Sequence, residues 1–124
     1  MQTDTNYLVL NSRDELLRMD INSIVYFEAD GNYTNIISIS NIKGVICANL
    51  SKMQALLNEK LHEKASVFAR VGKKYIINLR HIYSINTVHQ QIVLSDGVSF
   101  VFKLQIGKDA LKELKKVLIE TSLQ

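Results

Sequence analysis

The chain has 124 residues, 47% of them hydrophobic and 22% charged, with three histidines, one cysteine and no proline. A domain of that size can bury roughly two thirds of its unfolded surface without a disulfide or structural metal, and a lone Cys47 can supply neither an internal disulfide nor a zinc site of the usual spacing. The net charge of +3 hides an asymmetry: residues 1–63 carry five Lys/Arg against eight Asp/Glu and residues 64–124 ten against four, a one-sided cationic field suited to polyanions.

Short strand signals dominate from the amino end. "YLVL" (7–10) and "ELLRM" (15–19) flank an Asn-Ser-Arg-Asp turn, and "SIVYFEA" (23–29) runs into Asp30-Gly31-Asn32, a hairpin turn because Gly and Asn accept positive φ cheaply. "YTNIISIS" (33–40) alternates, with Tyr33, Asn35, Ile37 and Ile39 on one face and the mostly polar Thr34, Ile36, Ser38 and Ser40 on the other, which predicts a half-buried strand. A turn over Asn41–Gly44 leads to "VICA" (45–48), where Cys47 is expected as a buried structural thiol. "NLSKMQALLNEKL" places Leu50, Met53, Leu57 and Leu61 on one helical face, with Ser51 as the expected cap. Then follow "VFARV" (67–71), Gly72-Lys73-Lys74, "YIINL" (75–79), "HIYSI" (81–85), "QIVL" (91–94), an Asp96-Gly97 turn and "VSFVFK" (98–103). The chain closes on a helix from Lys108 to Thr121, with Ala110, Leu111, Leu114, Val117 and Leu118 opposite Lys108, Lys112, Lys115 and Lys116. This reads as a mainly β protein of antiparallel hairpins with two helices, one domain over residues 1–124 with neither repeat nor linker.

Nothing in the sequence assembles a catalytic or metal site. Glu28 and Asp30 share a strand face, but Asp30 is assigned to turn chemistry. His62, His81 and His89 lie far apart, with no metal-ligand spacing, nucleophile elbow or phosphate-binding glycine loop around them. No enzymatic activity, cofactor, metal or small-molecule substrate is expected. No apolar run approaches the roughly 20 residues that span a bilayer, and no basic segment leads into an apolar one at the amino end; the expected compartment is a reducing cytoplasm, away from membranes.

The stretch "FARVGKKYIINLRHI" (68–82) puts two adjacent lysines on a glycine turn between apolar strands. Lysines there can donate charge-assisted hydrogen bonds to phosphates, the contacts that dominate affinity for duplex DNA. Reading bases requires groups that reach the groove edges, and Asn32, Thr34 and Asn35 at the first hairpin, with Lys73 and Lys108, are the candidates. Arg70 is either a structural partner, with Glu28 for example, or a phosphate contact. Asn78 is expected to satisfy backbone groups at a turn.

Taken in order, "INSIVYFEADGNYTNI", "NLSKMQALLNEKL", "VFARVGKKYIINLRHIYSI" and "IVLSDG" resemble the LytTR-type DNA-binding domain, the output domain of many bacterial response regulators. The likeness covers residues 7 to 118 and is strongest at Phe68, Arg70, Val71, Tyr75, Ile76, Ile77, Asn78 and Leu79. It implies an elongated set of small antiparallel β-sheets, with loops from successive sheets inserted into successive major grooves. The first DNA-facing loop would be Asn32 to Asn35, the second Gly72, Lys73 and Lys74, and the third would precede the last helix. The family's His-Arg-Ser is Gly72-Lys73-Lys74 here, and lysine lacks the bidentate fork with which arginine reads guanine. In the family's closing Leu-Pro-x-Ser-Arg, "LQIGK" puts Lys108 in the arginine's place; a register with Leu104 there loses the cation.

The resemblance implies a sequence-specific, double-stranded DNA-binding transcription regulator of a two-component type. Promoter direct repeats and a dimer formed on DNA are the expected partners. The chain has no room for a receiver domain, so it is either a fragment of a larger regulator or a stand-alone one. The alternative is a protein-interaction module that keeps the fold and has lost base reading.

Overall fold

Apolar residues on both sides of one strand organise the molecule. A computed structural model describes residues 6–122, and among them lie ten strands in three antiparallel sheets and two α-helices. Strands β1 (Tyr7–Asn11) and β2 (Leu16–Asp20) pair alone. Strands β3 (Ile24–Asp30), β4 (Tyr33–Ser38), β5 (Lys43–Ile46), β6 (Phe68–Val71) and β7 (Tyr75–Asn78) form a sheet in the order β5-β4-β3-β7-β6. Strands β8 (Ile82–Asn86), β9 (Gln91–Ser95) and β10 (Val101–Gln105) form the third, in the order β10-β9-β8. Helix α1 (Leu50–Leu61) connects β5 to the segment before β6, and α2 (Lys108–Ser122) follows β10. The mainly β class, with several small antiparallel sheets and two helices, is the architecture the sequence implies.

Strand β3 lies at the centre of the five-stranded sheet and feeds a core on each side. Ile24 and Phe27 point toward β1 and α1, where Leu8, Leu10, Met53 and Leu57 are buried, and Phe27 meets Phe68 edge to face at 5.4 Å. Val25 and Tyr26 point the other way, toward Ile92, Leu94, Leu104 and Leu111 of the third sheet and α2, with Tyr26 edge to face on Phe102 at 5.6 Å. Strict alternation forbids two neighbours on one side; the register shift between Ile24 and Tyr26 in the pairing with β4 is a bulge that allows it. The α1 stripe Leu50, Met53, Leu57 and Leu61 is buried as its spacing predicts.

Asn78 ties the sheet to the chain that enters it. It is fully buried, donates to the carbonyls of Ile24 (2.9 Å) and Ile21 (3.4 Å), and accepts from the backbone N–H of Arg80 at 3.0 Å. This is the backbone-satisfying role expected of it.

Four expectations need correction. The polar face of β4 is not solvent-facing: Thr34, Ile36 and Ser38 are all buried, because α1 and the segments flanking β5 close over them, and the hydroxyls of Thr34 and Ser38 donate to the carbonyls of Ala48 (2.8 Å) and Ile42 (2.6 Å). Cys47 is exposed, since it lies just past β5 on the outward side of the alternation while Ala48 takes the inward place. The cap of α1 is Asn49, which accepts from Lys52 N–H at 2.9 Å, and Ser51 lies inside the first turn. The last strand begins at Val101 rather than Val98, because the Asp96 carboxylate gathers the N–H groups of Val98 (2.8 Å) and Ser99 (2.7 Å) and the Ser99 hydroxyl into a loop. Those bonds, the Ser99 hydroxyl first, hold the Asp96 carboxyl far below the usual carboxylate range.

Asn78→Ala removes the side-chain partners of buried backbone groups and is expected to lower the unfolding free energy by about 3 kcal/mol, seen as a lower urea midpoint at an unchanged m-value.

Candidate nucleic-acid interface

Three connections emerge at one end of the five-stranded sheet. The first is the two-residue loop Gly31-Asn32 that closes β3 on β4 after the Asp30–Tyr33 pair. Gly31 has φ +61° and Asn32 does not join it among the positive-φ residues, the combination a type II′ hairpin loop takes. The second is Gly72-Lys73-Lys74 between β6 and β7. Because β7 pairs with β3 through Tyr75 opposite Glu28, and Ala29 N–H donates to the Lys74 carbonyl at 2.8 Å, the two loops lie side by side.

The third connection is the β10–α2 junction. It neighbours the Gly72 turn, where φ of +69° favours glycine and a Cβ would meet Ile106 Cγ2 at an ordinary contact distance of 3.6 Å. Residues 71–75, 105–107 and Ala110 line a cleft of about 400 Å³ between them. Ile106 N–H donates to the Gln90 carbonyl at 3.0 Å, so the β8–β9 turn is fastened to the same junction. That proximity was legible in principle: β10 runs antiparallel to β9, so the end of β10 must meet the start of β9.

The candidate residues divide sharply. Asn32, Lys73 and Lys74 are exposed on the two adjacent loops, and Lys108 is exposed at the first position of α2, next to Gly107, which lines the cleft with Gly72. Leu104, the other choice of register, is buried in the second core. Thr34 and Asn35 face inward: Thr34 is wholly buried, and Asn35, 7% exposed, donates its amide to the Asp30 carboxylate at 3.3 Å. With only two residues in the loop, Thr34 already belongs to the ladder, opposite Ile46.

Arg70 is occupied. Its guanidinium donates to Ser51 Oγ on α1 at 3.0 Å and to the Lys73 carbonyl at 3.3 Å, so it braces the basic turn from the α1 side. On the opposite side, Tyr75 supports the turn, with the Lys74 ammonium 6.0 Å from its ring centroid and Tyr26 edge to face at 5.8 Å. Burial and the nearby Glu28 carboxylate raise the Tyr75 phenol, and they push Tyr26 up to about 12. Both phenols therefore stay protonated at neutral pH and add no negative charge beside the lysines.

Among the described residues, no group of three or more His, Cys, Asp and Glu side chains is placed to hold a metal ion, and no helix is long and apolar enough to cross a membrane. The profile of the LytTr DNA-binding domain family matches residues 14–119. The chain belongs to the LytTr DNA-binding domain family. A solved LytTr DNA-binding domain from a response regulator of Bacillus cereus is 19% identical and superposes with a TM-score of 0.62, covering 91% of this chain and 96% of that one. At that identity the likeness speaks for the fold alone. Among curated proteins, no relative matches the sequence significantly.

Two measurements check this account. Arg70→Ala is expected to weaken any polyanion binding while leaving the slope of affinity against salt unchanged, because a brace that touches no phosphate releases no counterion. For Tyr26, whose folded value is pushed from the ordinary 10.0 up to about 12, the sign of the linkage puts its full stabilisation below pH 10 and its loss as pH rises from there to about 12; Tyr75, also raised, contributes in the same direction. Tyr26→Phe is expected to flatten that alkaline decline in a circular-dichroism titration.

Proposed function

We propose that the chain binds double-stranded DNA sequence-specifically, as the DNA-contacting part of a bacterial transcription regulator working in the cytoplasm. The observation that carries this reading is the convergence of three exposed connections, Gly31-Asn32, Gly72-Lys73-Lys74 and Gly107-Lys108, at one edge of a LytTr domain. Rigid strands on either side hold the cations in place, so phosphate contacts would cost little ordering entropy. Loops of this kind would enter successive major grooves, with Lys73, Lys74 and Lys108 on phosphates or on guanine O6/N7 edges and Asn32 nearest the bases. Paired sites about one helical turn apart would accommodate two copies of the domain on one face of the duplex.

A second reading has one observation in its favour. Thr34 and Asn35 are spent inside the protein, which leaves few side chains for base reading and suits a module that uses this edge for protein contact.

Selection from a pool of randomised duplex DNA at ~150 mM salt, where distant charges are screened, decides between them. Specific regulation predicts enrichment of a short element, repeated at helical-turn spacing. Retention without enrichment means that the lysines hold phosphates alone, and no retention favours the interaction module. With DNA bound, Lys73→Ala/Lys74→Ala is expected to weaken binding to every sequence and to make the salt slope shallower by about two.

A further inference from the structure

The first loop carries a carboxylate that its turn does not use. Asp20 and Asp96 show what turn aspartates do in this protein: Asp20 accepts from Asn22 N–H at 2.9 Å, and Asp96 gathers the N–H groups of Val98 and Ser99. Asp30 caps no backbone group; the β3–β4 loop is closed by the positive φ of Gly31. Its assignment to turn chemistry from sequence therefore does not hold. Instead the exposed Asp30 carboxylate is steered from below by the buried Asn35, whose Nδ2 donates to Oδ2 at 3.3 Å. Oδ1 has no hydrogen-bond partner among the described residues, and Asp30 is the last residue of β3, one past Ala29, whose N–H donates to the Lys74 carbonyl.

An aimed carboxylate at a cationic edge conflicts with phosphate binding, since it would repel the same backbone that Lys73 and Lys74 attract. It fits one kind of neighbour on duplex DNA. A carboxylate is acceptor-only, and the exocyclic donors exposed in the major groove are cytosine N4 and adenine N6. Against guanine O6/N7 or thymine O4 it would set lone pairs against lone pairs, which supplies the repulsive half of a discrimination.

We propose that Asp30 is a specificity-determining residue, which selects cytosine or adenine at the base facing the first loop and rejects guanine and thymine there, with Asn35 as its positioning residue. This rests on the reading of the chain as a duplex-DNA binder. Asparagine at this position keeps the size of the side chain but also donates, so it loses the rejection of guanine and thymine acceptors.

The test is the randomised-duplex selection run in parallel on the wild type, Asp30→Asn and Asp30→Ser, with thermal unfolding to show that each variant is folded. The expected result is that both variants keep the wild-type motif except at one position. There the preference for an amino-bearing base relaxes by roughly tenfold, within the range that a base-edge contact supplies. An unchanged preference at every position overturns the proposal. So does uniformly tighter binding by both variants with the motif intact, since the carboxylate would then act only as a repulsive charge. A wild type that enriches no motif overturns the parent reading along with it, whereas an intact motif in the variants overturns this inference alone.

Discussion

Burying a seven-residue strand on both faces sets the terms for the rest of this fold. Phe27 needs an apolar partner on one side, and Val25 and Tyr26 need one on the other, so the sheet must be covered twice. The first cover is α1 with β1 and β2; the second is the three-stranded sheet with α2. The bulge at Val25 makes this division possible by turning two consecutive side chains toward the second core. Once β3 is held from both sides, its carboxyl end is fixed as well, and with it the loop it enters and the neighbouring loop that ends where Lys74 accepts from Ala29.

Placement of charge follows from that constraint. The interior strands have no room for unpaired cations, so Lys73, Lys74 and Lys108 sit where strands and helix begin or end. Arg70 shows how one cation can serve the others. By giving its donors to Ser51 and to the Lys73 carbonyl, it links α1 to the basic turn across the sheet's edge. A lysine could not bridge both acceptors with the same planar geometry. Exposed loops thus inherit the rigidity of the cores beneath them, which is how a functional edge is kept in one pose without being buried.

Much of this was legible in the sequence. Asp30-Gly31-Asn32 and Gly72-Lys73-Lys74 announce their turns through glycine, the α1 stripe announces its buried face, and the run around Phe68 to Leu79 announces the family. The departures have separate physical causes. Alternation tells which residues share a strand face but not what will lie on that face, so it predicts a wet polar side for β4 although α1 covers it. Cys47, expected inside because its neighbours are apolar, is exposed, and Ala48 takes the inward place beside it. The Asp96 loop displaced the start of β10 through several side-chain to backbone bonds, a local competition that hydropathy does not record. Asp30 was hidden by analogy with other turn aspartates, and only the absence of a backbone donor around it separates it from Asp20.

The order of the five-stranded sheet leaves β5 and β6 as its margins, each four residues long. Beside β6 the α2 helix stands close, with Ala110, Leu114 and Val117 lining a cavity together with Ala69 and Val71. Strand β5 has Val45 exposed on it and Ile42 exposed just before it, next to the charge of Lys43. An unpaired strand margin flanked by apolar side chains is a template for further strands, restrained here only by its shortness and one lysine. Self-association by strand addition would therefore begin at β5, and the charge of Lys43 would oppose it.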